Sequence, residues 1–295
     1  MRENGPVTSA TRQPETPAAT LPPRLIATDL DGTLLRDDKS VSERTVAALA
    51  AAEEAGIEVF FVTGRPARWM DVVSDHVHGH GLAICGNGAA VVDLHGGPGA
   101  HRFVKVRELA RENALDAVRL VREAAPGTVF AVEQTYGFYQ EPAYPKLHME
   151  IPDTLASAEK LLAPDAPGAG EPVLKILAFH HELDPDAFLT VARDAVGDRA
   201  TITRSSPSAL LEISGPGVSK ASTLELCCAE RGISPEEVVA FGDMPNDVEM
   251  LTWAGTSYAM GNAHPAVIAA ASGRTVANNE DGVAVVIENI LAERL

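Results

Sequence analysis

Near its N-terminus the chain reads Leu25-Ile26-Ala27-Thr28-Asp29-Leu30-Asp31-Gly32-Thr33-Leu34. The apolar start of this stretch predicts a buried strand, and the strand ends at two aspartates and a glycine. Two carboxylates at the end of a buried strand are costly to desolvate unless a compensating group lies beside them. A divalent cation and a phosphoryl group are the ligands that this pattern favours.

Composition narrows the class of protein. The chain has 295 residues, of which 45% are hydrophobic, and a formal net charge of -17. This length suits one large domain or two smaller ones, and no apolar run approaches the roughly 18 residues of a membrane helix, so we expect a soluble globular protein without a membrane partner. The negative charge argues against a nucleic-acid partner, because such proteins gather Lys and Arg against phosphates.

Cysteine usage and the first residues add two expectations. The cysteines are Cys85, Cys227 and Cys228, an odd number without metal-ligand spacing, which predicts reduced thiols and a cytoplasmic location. The adjacent pair is expected to pack inside a helix. Residues 1–23 lack periodicity and the apolar segment of a signal peptide, so they are predicted to form a disordered tail.

Strands and helices alternate after the tail. Strands are predicted at 25–28, 57–62 and 82–85, with one helix capped by Ser42 and another opened by Pro66 at its first turn. This order predicts parallel strands joined by right-handed crossovers, which is the doubly wound, Rossmann-like α/β fold. Ligands bind such sheets at the carboxyl ends of the strands.

The pattern changes in the middle of the chain and then returns. Further strands are predicted at 128–133, 173–179, 238–241, 256–260 and 275–277, and further helices at 108–124, 185–196, 219–231 and 283–291. We therefore predict a discontinuous core of residues 24–86 and 213–295 that carries an inserted α/β cap domain of residues 87–212. The crossings between them are expected near Cys85–Ala89 and Glu212–Gly217.

Polar motifs follow the predicted strands on one side of the sheet. They are Asp29 with Asp31, Thr63 with Gly64, Lys220, and Asp243 with Asn246 and Asp247. Such a set supplies hard oxygen ligands for Mg²⁺, hydroxyl and backbone donors for a phosphate, and a cation to offset the carboxylates. The sequence therefore predicts one site built from all of these motifs.

This layout resembles the haloacid dehalogenase-like (HAD) phosphatase superfamily, and the large insertion between Thr63 and Lys220 is similar to that of its Cof-type branch. The resemblance covers nearly all of the chain after the tail. It implies hydrolysis of a small phosphorylated metabolite, such as a sugar phosphate, a nucleotide-type phosphate or a cofactor phosphate. It also implies that Asp29 is the nucleophile, which forms an aspartyl-phosphate, and that Asp31 is the general acid and base.

The same residues suggest how a metal and a phosphoryl group would be held. We expect Mg²⁺ on the carboxylates of Asp29 and Asp243 and the backbone carbonyl of Asp31, with Asp247 bound directly or through water. The phosphoryl group is expected to bind Thr63, Gly64, Asn246 and Lys220. Because successive side chains of a strand alternate between faces, the loop must bend at Gly32 to bring both aspartates to one phosphate.

Several residues keep two interpretations. Arg65 is either a surface residue or a substrate contact. Asn87 in Gly86-Asn87-Gly88 is first a turn residue and second a polar group at the domain junction, where it is a candidate substrate contact. The alternating His76, His78 and His80 lie away from the strand ends, which favours a solvated loop over a metal site.

Two alternatives to a phosphatase also remain open for the function of the protein. A phosphomutase shares the resemblance but transfers the phosphoryl group to a second hydroxyl. A receiver-type phosphoacceptor domain also gathers aspartates, Thr and Lys around Mg²⁺, but it lacks a large insertion between these motifs. No G-x-x-x-x-G-K-[ST] pattern occurs, which disfavours a P-loop kinase or NTPase. A monomer or a small homo-oligomer is expected.

Overall fold

A computed structural model describes residues 21–74, 81–146, 152–206 and 208–294. The predicted tail up to residue 20 and the three alternating histidines lie outside the described residues. Within the described ranges, no helix is long and apolar enough to cross a membrane.

The strands lie in two sheets. In chain order they are β1 (Leu25–Thr28), β2 (Glu58–Val62), β3 (Leu82–Cys85), β4 (Ala90–Asp93), β5 (Arg102–Val106), β6 (Val129–Gln134), β7 (Phe138–Gln140), β8 (Thr154–Leu155), β9 (Val173–Phe179), β10 (Thr201–Thr203), β11 (Leu210–Ser214), β12 (Val238–Gly242), β13 (Thr256–Ala259) and β14 (Gly273–Arg274). The α-helices are α1 (Glu43–Glu54), α2 (Asp71–Ser74), α3 (Arg111–Ala124), α4 (Ala158–Leu161), α5 (Pro185–Val196), α6 (Lys220–Ala229), α7 (Val248–Trp253), α8 (Pro265–Ala270) and α9 (Gly282–Ala292).

The first sheet has eight strands in the order β14-β13-β12-β1-β2-β3-β4-β5. All neighbours from β14 to β3 are parallel, and β4 and β5 add an antiparallel edge. The central strand β1 is buried throughout, as an apolar strand covered on both faces must be. The predicted doubly wound α/β core is confirmed. So is the cap of α1, where the hydroxyl oxygen of Ser42 accepts from the N–H of Thr45 at 3.0 Å.

The second sheet has six strands in the order β10-β11-β9-β6-β7-β8. Side chains alternate between its faces, and those of Val132, Ile176 and Leu211 pack in one apolar cluster with residues of α3, α4 and α5. The intervening residues, such as Glu133, Leu177 and Leu210, line a cavity shared with the first sheet. The inserted α/β unit of the predicted fold class is therefore present.

The first crossing between the sheets differs from the expectation. It was expected near Cys85–Ala89, yet β4 and β5 follow that segment and extend the eight-stranded sheet. The chain passes to the second unit only after Val106, and it returns between Ser214 and Lys220, near the expected place. Short antiparallel edge strands pair with their sequence neighbours, so their pattern does not reveal which sheet they join.

Two smaller elements also differ. Pro66 is the N-cap of a short 3-10 helix, Ala67–Trp69, rather than its first residue, because its backbone is extended with ψ 159°. The strand expected at 275–277 lies earlier, as β14, where Ala259 is in register with Arg274. Cys227 and Cys228 are buried and free in α6, as predicted.

Candidate active site

Three buried carboxylates meet at the carboxyl ends of β1 and β12. One oxygen of each of Asp29, Asp243 and Asp247 lies within 4.8 Å of the others. These residues are 5%, 7% and 0% exposed, respectively. The Nζ of Lys220 donates to Oδ1 of Asp29 and to Oδ1 of Asp247, at 2.6 Å in each case. The ammonium group therefore contacts two of the three carboxylates, so the cluster has more carboxylates than cations.

Strand pairing brings these side chains together. β1 and β12 are parallel neighbours, with Thr28 in register with Phe241. Asp29 directly follows β1 and Asp243 directly follows β12. Because the carboxyl ends of parallel strands meet at one edge of a sheet, the two carboxylates face the same space although they are distant in sequence.

Gly32 lets the loop after β1 approach Asp243. Its φ is +74°, in the left-handed region that glycine adopts without strain. A Cβ atom at this position would lie 2.3 Å from Oδ2 of Asp243. The hydroxyl of Thr33 donates to Oδ1 of the same carboxylate at 3.0 Å. The predicted bend is present, and the close approach to Asp243 is a second reason for glycine.

Asp247 orients the loop that carries Asp243. Its Oδ2 accepts from the backbone N–H groups of Asp243 and Met244, both at 3.0 Å. Its Oδ1 is the oxygen that Lys220 contacts. Protein groups thus engage both oxygens, which suits a residue that holds Asp243 and Lys220 in place.

The start of α6 fixes Lys220. The N-cap Ser219 and Ser222 form reciprocal bonds, with Ser219 Oγ accepting from the N–H of Ser222 at 3.2 Å and Ser222 Oγ accepting from the N–H of Ser219 at 3.0 Å. The helix start packs closely on the loop after β3, because a Cβ on Gly88 would lie 2.2 Å from the carbonyl oxygen of Ser219. Lys220 is 1% exposed.

Burial and crowding change the protonation of the cluster. Burial raises the pKa of Asp29 well above its ordinary value; Lys220 opposes this, while Asp247 and Asp243 add to it. Burial and the neighbouring Asp247 raise the pKa of Asp243 to about 7, against the lowering effect of the Thr33 hydroxyl. Burial disfavours the charged form of Lys220, but Asp247 and Asp29 outweigh burial and raise its pKa.

This donor set fits a hard divalent cation. Carboxylate oxygens are the ligands that Mg²⁺ prefers, and a bound ion is commonly the largest local charge in such a site. Burial and the neighbouring carboxylate of Asp247 raise the pKa of Asp243, and a divalent ion beside Asp243 would favour its ionised form. Asp29 and Asp243 are the suitable carboxylates, since both oxygens of Asp247 already accept hydrogen bonds, from Lys220 and from backbone N–H groups.

The carboxylate of Asp31 bonds two cations outside this cluster. Nε and Nη2 of Arg65 donate to its two oxygens at 2.6 and 2.7 Å, and Nζ of Lys39 donates at 2.8 Å. Burial opposes ionisation, but the Arg65 and Lys39 contacts outweigh burial and lower the pKa of Asp31 to about 2. Asp31 is therefore ionised in this state. Neither partner was inferred from the sequence, which offered two other interpretations of Arg65.

The loop after β2 offers a hydroxyl donor at the same edge. Thr63 is 1% exposed, and its Oγ1 accepts from the N–H of Arg65 at 3.1 Å. The hydroxyl hydrogen of Thr63 is then left to donate to a ligand. The backbone N–H of Thr63 donates to the carbonyl oxygen of Ile84 at 2.8 Å, which ties this loop to β3.

Asn87 and Asn246 contact each other. Nδ2 of Asn246 donates to Oδ1 of Asn87 at 2.9 Å. Asn87 has φ 55° and ψ 34°, and it is 2% exposed. It is thus both a turn residue and a buried polar group, so its two interpretations apply together. Asn246 was expected to bond a phosphoryl group, and one of its two Nδ2 hydrogens is used by the bond to Asn87 in this state.

A buried ion pair on the second sheet reaches the site. Lys175 on β9 and Glu212 on β11 form it, with side chains 5% and 4% exposed. Nζ of Lys175 also donates to the carbonyl oxygen of Gly64 at 2.7 Å, and Glu212 accepts from the hydroxyl of Ser205. Sequence reasoning missed this pair because neither residue belongs to a motif. The available signal was a single charged residue inside each of two apolar strands.

All of the residues that the sequence proposed for the site lie at this edge, and they form two electrostatic halves. The cluster around Asp29 carries excess negative charge, whereas two cations, Lys39 and Arg65, contact the single carboxylate of Asp31. Asp29, Asp31 and Thr63 line a common cavity. A phosphoryl group accompanied by a metal ion matches both halves.

Comparisons with known proteins agree with this chemistry. A family model described as haloacid dehalogenase-like hydrolase matches residues 26–287. The HMP-PP phosphatase of Yersinia enterocolitica is 31% identical over 245 residues, which cover 82% of this chain and 85% of that protein. The 5-amino-6-(5-phospho-D-ribitylamino)uracil phosphatase YitU of Bacillus subtilis is 29% identical over 269 residues, which cover 89% of this chain and 95% of that protein.

Solved structures share the fold. SMU.1108c from Streptococcus mutans matches with a TM-score of 0.78 at 24% identity, covering 92% of this chain and 99% of that one. The phosphatase BT1666 from Bacteroides thetaiotaomicron matches with a TM-score of 0.75 at 23% identity, covering 93% of this chain and 97% of that one. At these identities the likeness concerns the fold.

Proposed function

This chain belongs to the haloacid dehalogenase-like hydrolase family, and we propose that it is a Mg²⁺-dependent phosphomonoesterase of the Cof type. The proposed substrate is a small phosphorylated metabolite, and the proposed intermediate is an aspartyl-phosphate on Asp29. The observation that carries the proposal is the buried cluster of Asp29, Asp243 and Asp247 with Lys220, which opens on a cavity lined by Asp29 and Asp31. The phosphatases among its relatives support the reaction class.

In the first step a carboxylate oxygen of Asp29 forms a bond to phosphorus, and the bond from phosphorus to the alcohol oxygen breaks. Asp31 gives its proton to that oxygen, so the alcohol leaves neutral. Lys220, at 2.6 Å from Asp29, favours the ionised and therefore nucleophilic form of this buried carboxyl group. The hydroxyl of Thr63 donates a hydrogen bond to a phosphoryl oxygen.

In the second step Asp31, now ionised, takes a proton from water while the water oxygen attacks phosphorus. The acyl phosphate bond breaks, inorganic phosphate leaves, and Asp29 returns as a carboxylate. Asp31 is again protonated for the next turnover. The sum of the two steps is phosphate ester plus water giving alcohol plus phosphate.

The ion pairs of Asp31 explain how substrate prepares it. Without substrate, Arg65 and Lys39 hold Asp31 ionised. A dianionic phosphoryl group offers these two cations another anion, because guanidinium groups bind phosphate as well as carboxylate in a bidentate manner. We propose that this exchange releases Asp31 to carry a proton.

Mg²⁺ would be held by the carboxylates of Asp29 and Asp243 and the backbone carbonyl of Asp31. When bound, it would neutralise charge on the phosphoryl oxygens and keep Asp29 and the phosphate in contact. The unit built on the six-stranded sheet is proposed to act as a cap, which excludes water and contacts the alcohol part of the substrate.

The test is release of inorganic phosphate from p-nitrophenyl phosphate by the purified protein. We expect activity with Mg²⁺, loss of activity in EDTA, and recovery when Mg²⁺ is restored. Release to water also separates hydrolysis from transfer to a second hydroxyl, the reaction of a phosphomutase. A protein that is inactive with Mg²⁺, or equally active in chelator, contradicts the proposal.

A further inference from the structure

The cavity beside Asp29 and Asp31 extends to the face of the second sheet. Its volume is about 730 Å³, within the range of roughly 300–1,000 Å³ that is usual for small-molecule sites. Asp29 and Asp31 line it together with Leu177 and Leu210 of the second sheet. A phosphate bound at the strand ends would therefore place its alcohol part against the second sheet.

The register of the second sheet determines which side chains meet that alcohol part. Leu177 on β9 is in register with Glu212 on β11, and Phe138 on β7 is in register with Glu133 on β6. All of these residues line the cavity, and they alternate with residues that pack against the helices behind the sheet. The cavity face thus mixes large apolar side chains with a few charged ones.

The charged groups on this face are already bound to other protein groups. Glu133 forms an ion pair with Arg68. Glu212 accepts from Lys175, and Lys175 also donates to the carbonyl oxygen of Gly64. A ligand hydroxyl would have to compete with these internal bonds, so they contribute little to the recognition of a polyol.

Much of the remaining lining is apolar and partly aromatic, and Ser205, Ser206 and Lys146 also line the cavity. Trp69, Phe138, Tyr144 and Leu210 line the cavity, and Arg68 lies with its Cζ 5.5 Å from the centre of the Phe138 ring. Aromatic walls favour a flat ring by stacking and by burial of apolar area, whereas they leave buried hydroxyls without partners. Gln140 adds one amide that can bond a polar edge of such a ring.

Resting on the proposed phosphatase function, we infer that the alcohol part of the substrate carries a planar ring that packs against Phe138 and Leu177, and that ring-free polyol phosphates are poor substrates. The phosphate binds beside Asp29 and Asp31, and the ring packs against the apolar and aromatic side chains of the cavity. The chemical class is therefore a phosphomonoester of a ring-bearing alcohol, of nucleotide size.

Two matched pairs of substrates test this inference, because only one member of each pair carries a planar ring. They are uridine 5′-monophosphate against ribose 5-phosphate, and flavin mononucleotide against ribitol 5-phosphate. In at least one pair, kcat/KM for the ring-bearing member is expected to be larger by about tenfold or more. A smaller ratio in both pairs overturns the inference.

The control reaction is hydrolysis of p-nitrophenyl phosphate. If it gives no phosphate, the proposed function fails and the ring preference fails with it. If it gives phosphate while neither pair reaches the tenfold ratio, only the ring preference fails.

Substitutions of Leu177 and Leu210, the wall positions of the cavity, test whether these side chains cause the preference for a planar ring. Leu177→Asn is expected to lower the ratio of kcat/KM between the planar-ring member of a pair and its partner by about tenfold. Leu183→Asn makes the same change at a position that is 37% exposed and outside the cavity lining, and it should leave the ratio unchanged. Leu210→Asn repeats the test at a second wall position if Leu177→Asn does not fold. An unchanged ratio in a folded wall variant contradicts the assignment of this wall.

Discussion

The ammonium group of Lys175 lies 2.7 Å from the carbonyl oxygen of Gly64, so a side chain of the second sheet is bonded to the loop that follows β2 in the first. The same ammonium group is paired with Glu212, and both side chains are almost fully buried. Gly64 directly follows Thr63, whose hydroxyl is the proposed hydrogen-bond donor to the phosphoryl group. The inserted unit is thereby coupled to the phosphate end of the site.

Removing this lysine should weaken both the fold and phosphate binding. In Lys175→Met the carboxylate of Glu212 remains buried without its cation, which costs about 3–5 kcal/mol. We expect a lower midpoint of urea unfolding and a weaker inhibition by inorganic phosphate. Lys175→Met combined with Glu212→Gln should recover part of the stability, because no unpaired charge remains.

The matched control is Arg44→Met. Arg44 pairs with Glu288, but these side chains are 47% and 44% exposed. An exposed pair contributes about 0–1 kcal/mol, so this variant should unfold close to the parent midpoint. Equal stability of Lys175→Met and Arg44→Met would contradict a structural role for the buried pair.

Asp29→Asn should remove activity. The amide is a poor nucleophile, so phosphate release from p-nitrophenyl phosphate should fall by at least about 10³-fold. Asp165→Asn, in an exposed loop, makes the same change outside the site and should retain the parent rate. Turnover retained by a folded Asp29→Asn would refute the nucleophile assignment.

Asp31→Asn should separate the two steps. The variant still offers Asp29 to phosphorus, but it lacks the group that takes a proton from water, so the phosphoenzyme should break down slowly. Mixing with p-nitrophenyl phosphate followed by intact-mass measurement should reveal a phosphoryl adduct, which Asp29→Asn cannot form. An unchanged steady-state rate would count against the role of Asp31.

Stability without metal should fall as the pH rises. Burial raises the pKa of Asp243 from 3.8 to about 7, so between these values the folded protein keeps a proton that the unfolded chain loses. The raised pKa therefore stabilises the fold at acid pH, and this contribution is lost by neutral pH. Mg²⁺ competes with that proton, so the increase in Tm on adding Mg²⁺ should be larger at about pH 8 than at about pH 6.

The variant Asp243→Asn should reduce both effects. It removes the titrating group, so the metal-free Tm should depend less on pH across this range, and Mg²⁺ should raise it little. Thermal unfolding with and without EDTA provides the measurement. An increase in Tm with Mg²⁺ that is independent of pH would contradict competition at Asp243.

Gly32→Ala should displace Asp243. The added methyl group would lie 2.3 Å from Oδ2 of Asp243, and the residue has φ +74°. Gly56→Ala is the matched control, because Gly56 has φ +78° and nothing within 4 Å of an added Cβ. Both variants pay about 1–2 kcal/mol for the left-handed backbone. Only Gly32→Ala should also lose phosphatase activity and Mg²⁺ affinity.

The sequence predicts the parts of this site that follow from strand order. Asp29, Thr63 and Asp243 each follow a strand of a parallel sheet, and parallel strands end at a common edge. Lys175 and Glu212 could not be predicted in this way, because their pairing depends on the antiparallel register of β9 and β11. The contact between Asp31 and Arg65 depends on the path of two loops, which no periodic pattern records. The predicted domain boundary near Cys85–Ala89 lies too early for the same reason, because no periodic pattern shows that β4 and β5 join the first sheet.

The position of β1 between β2 and β12 has a consequence for synthesis of the chain. One side of β1 can pair as soon as β2 has left the ribosome, but the other side waits for Val238–Gly242. At about 5–20 residues per second, that interval is roughly ten to forty seconds. During it the nascent protein exposes an unpaired strand edge and has Asp29 without Asp243. A chain arrested before β12 would therefore be prone to aggregation, and it would lack the Asp243 carboxylate of the proposed metal site. A chaperone that covers this edge would act before the protein has any activity.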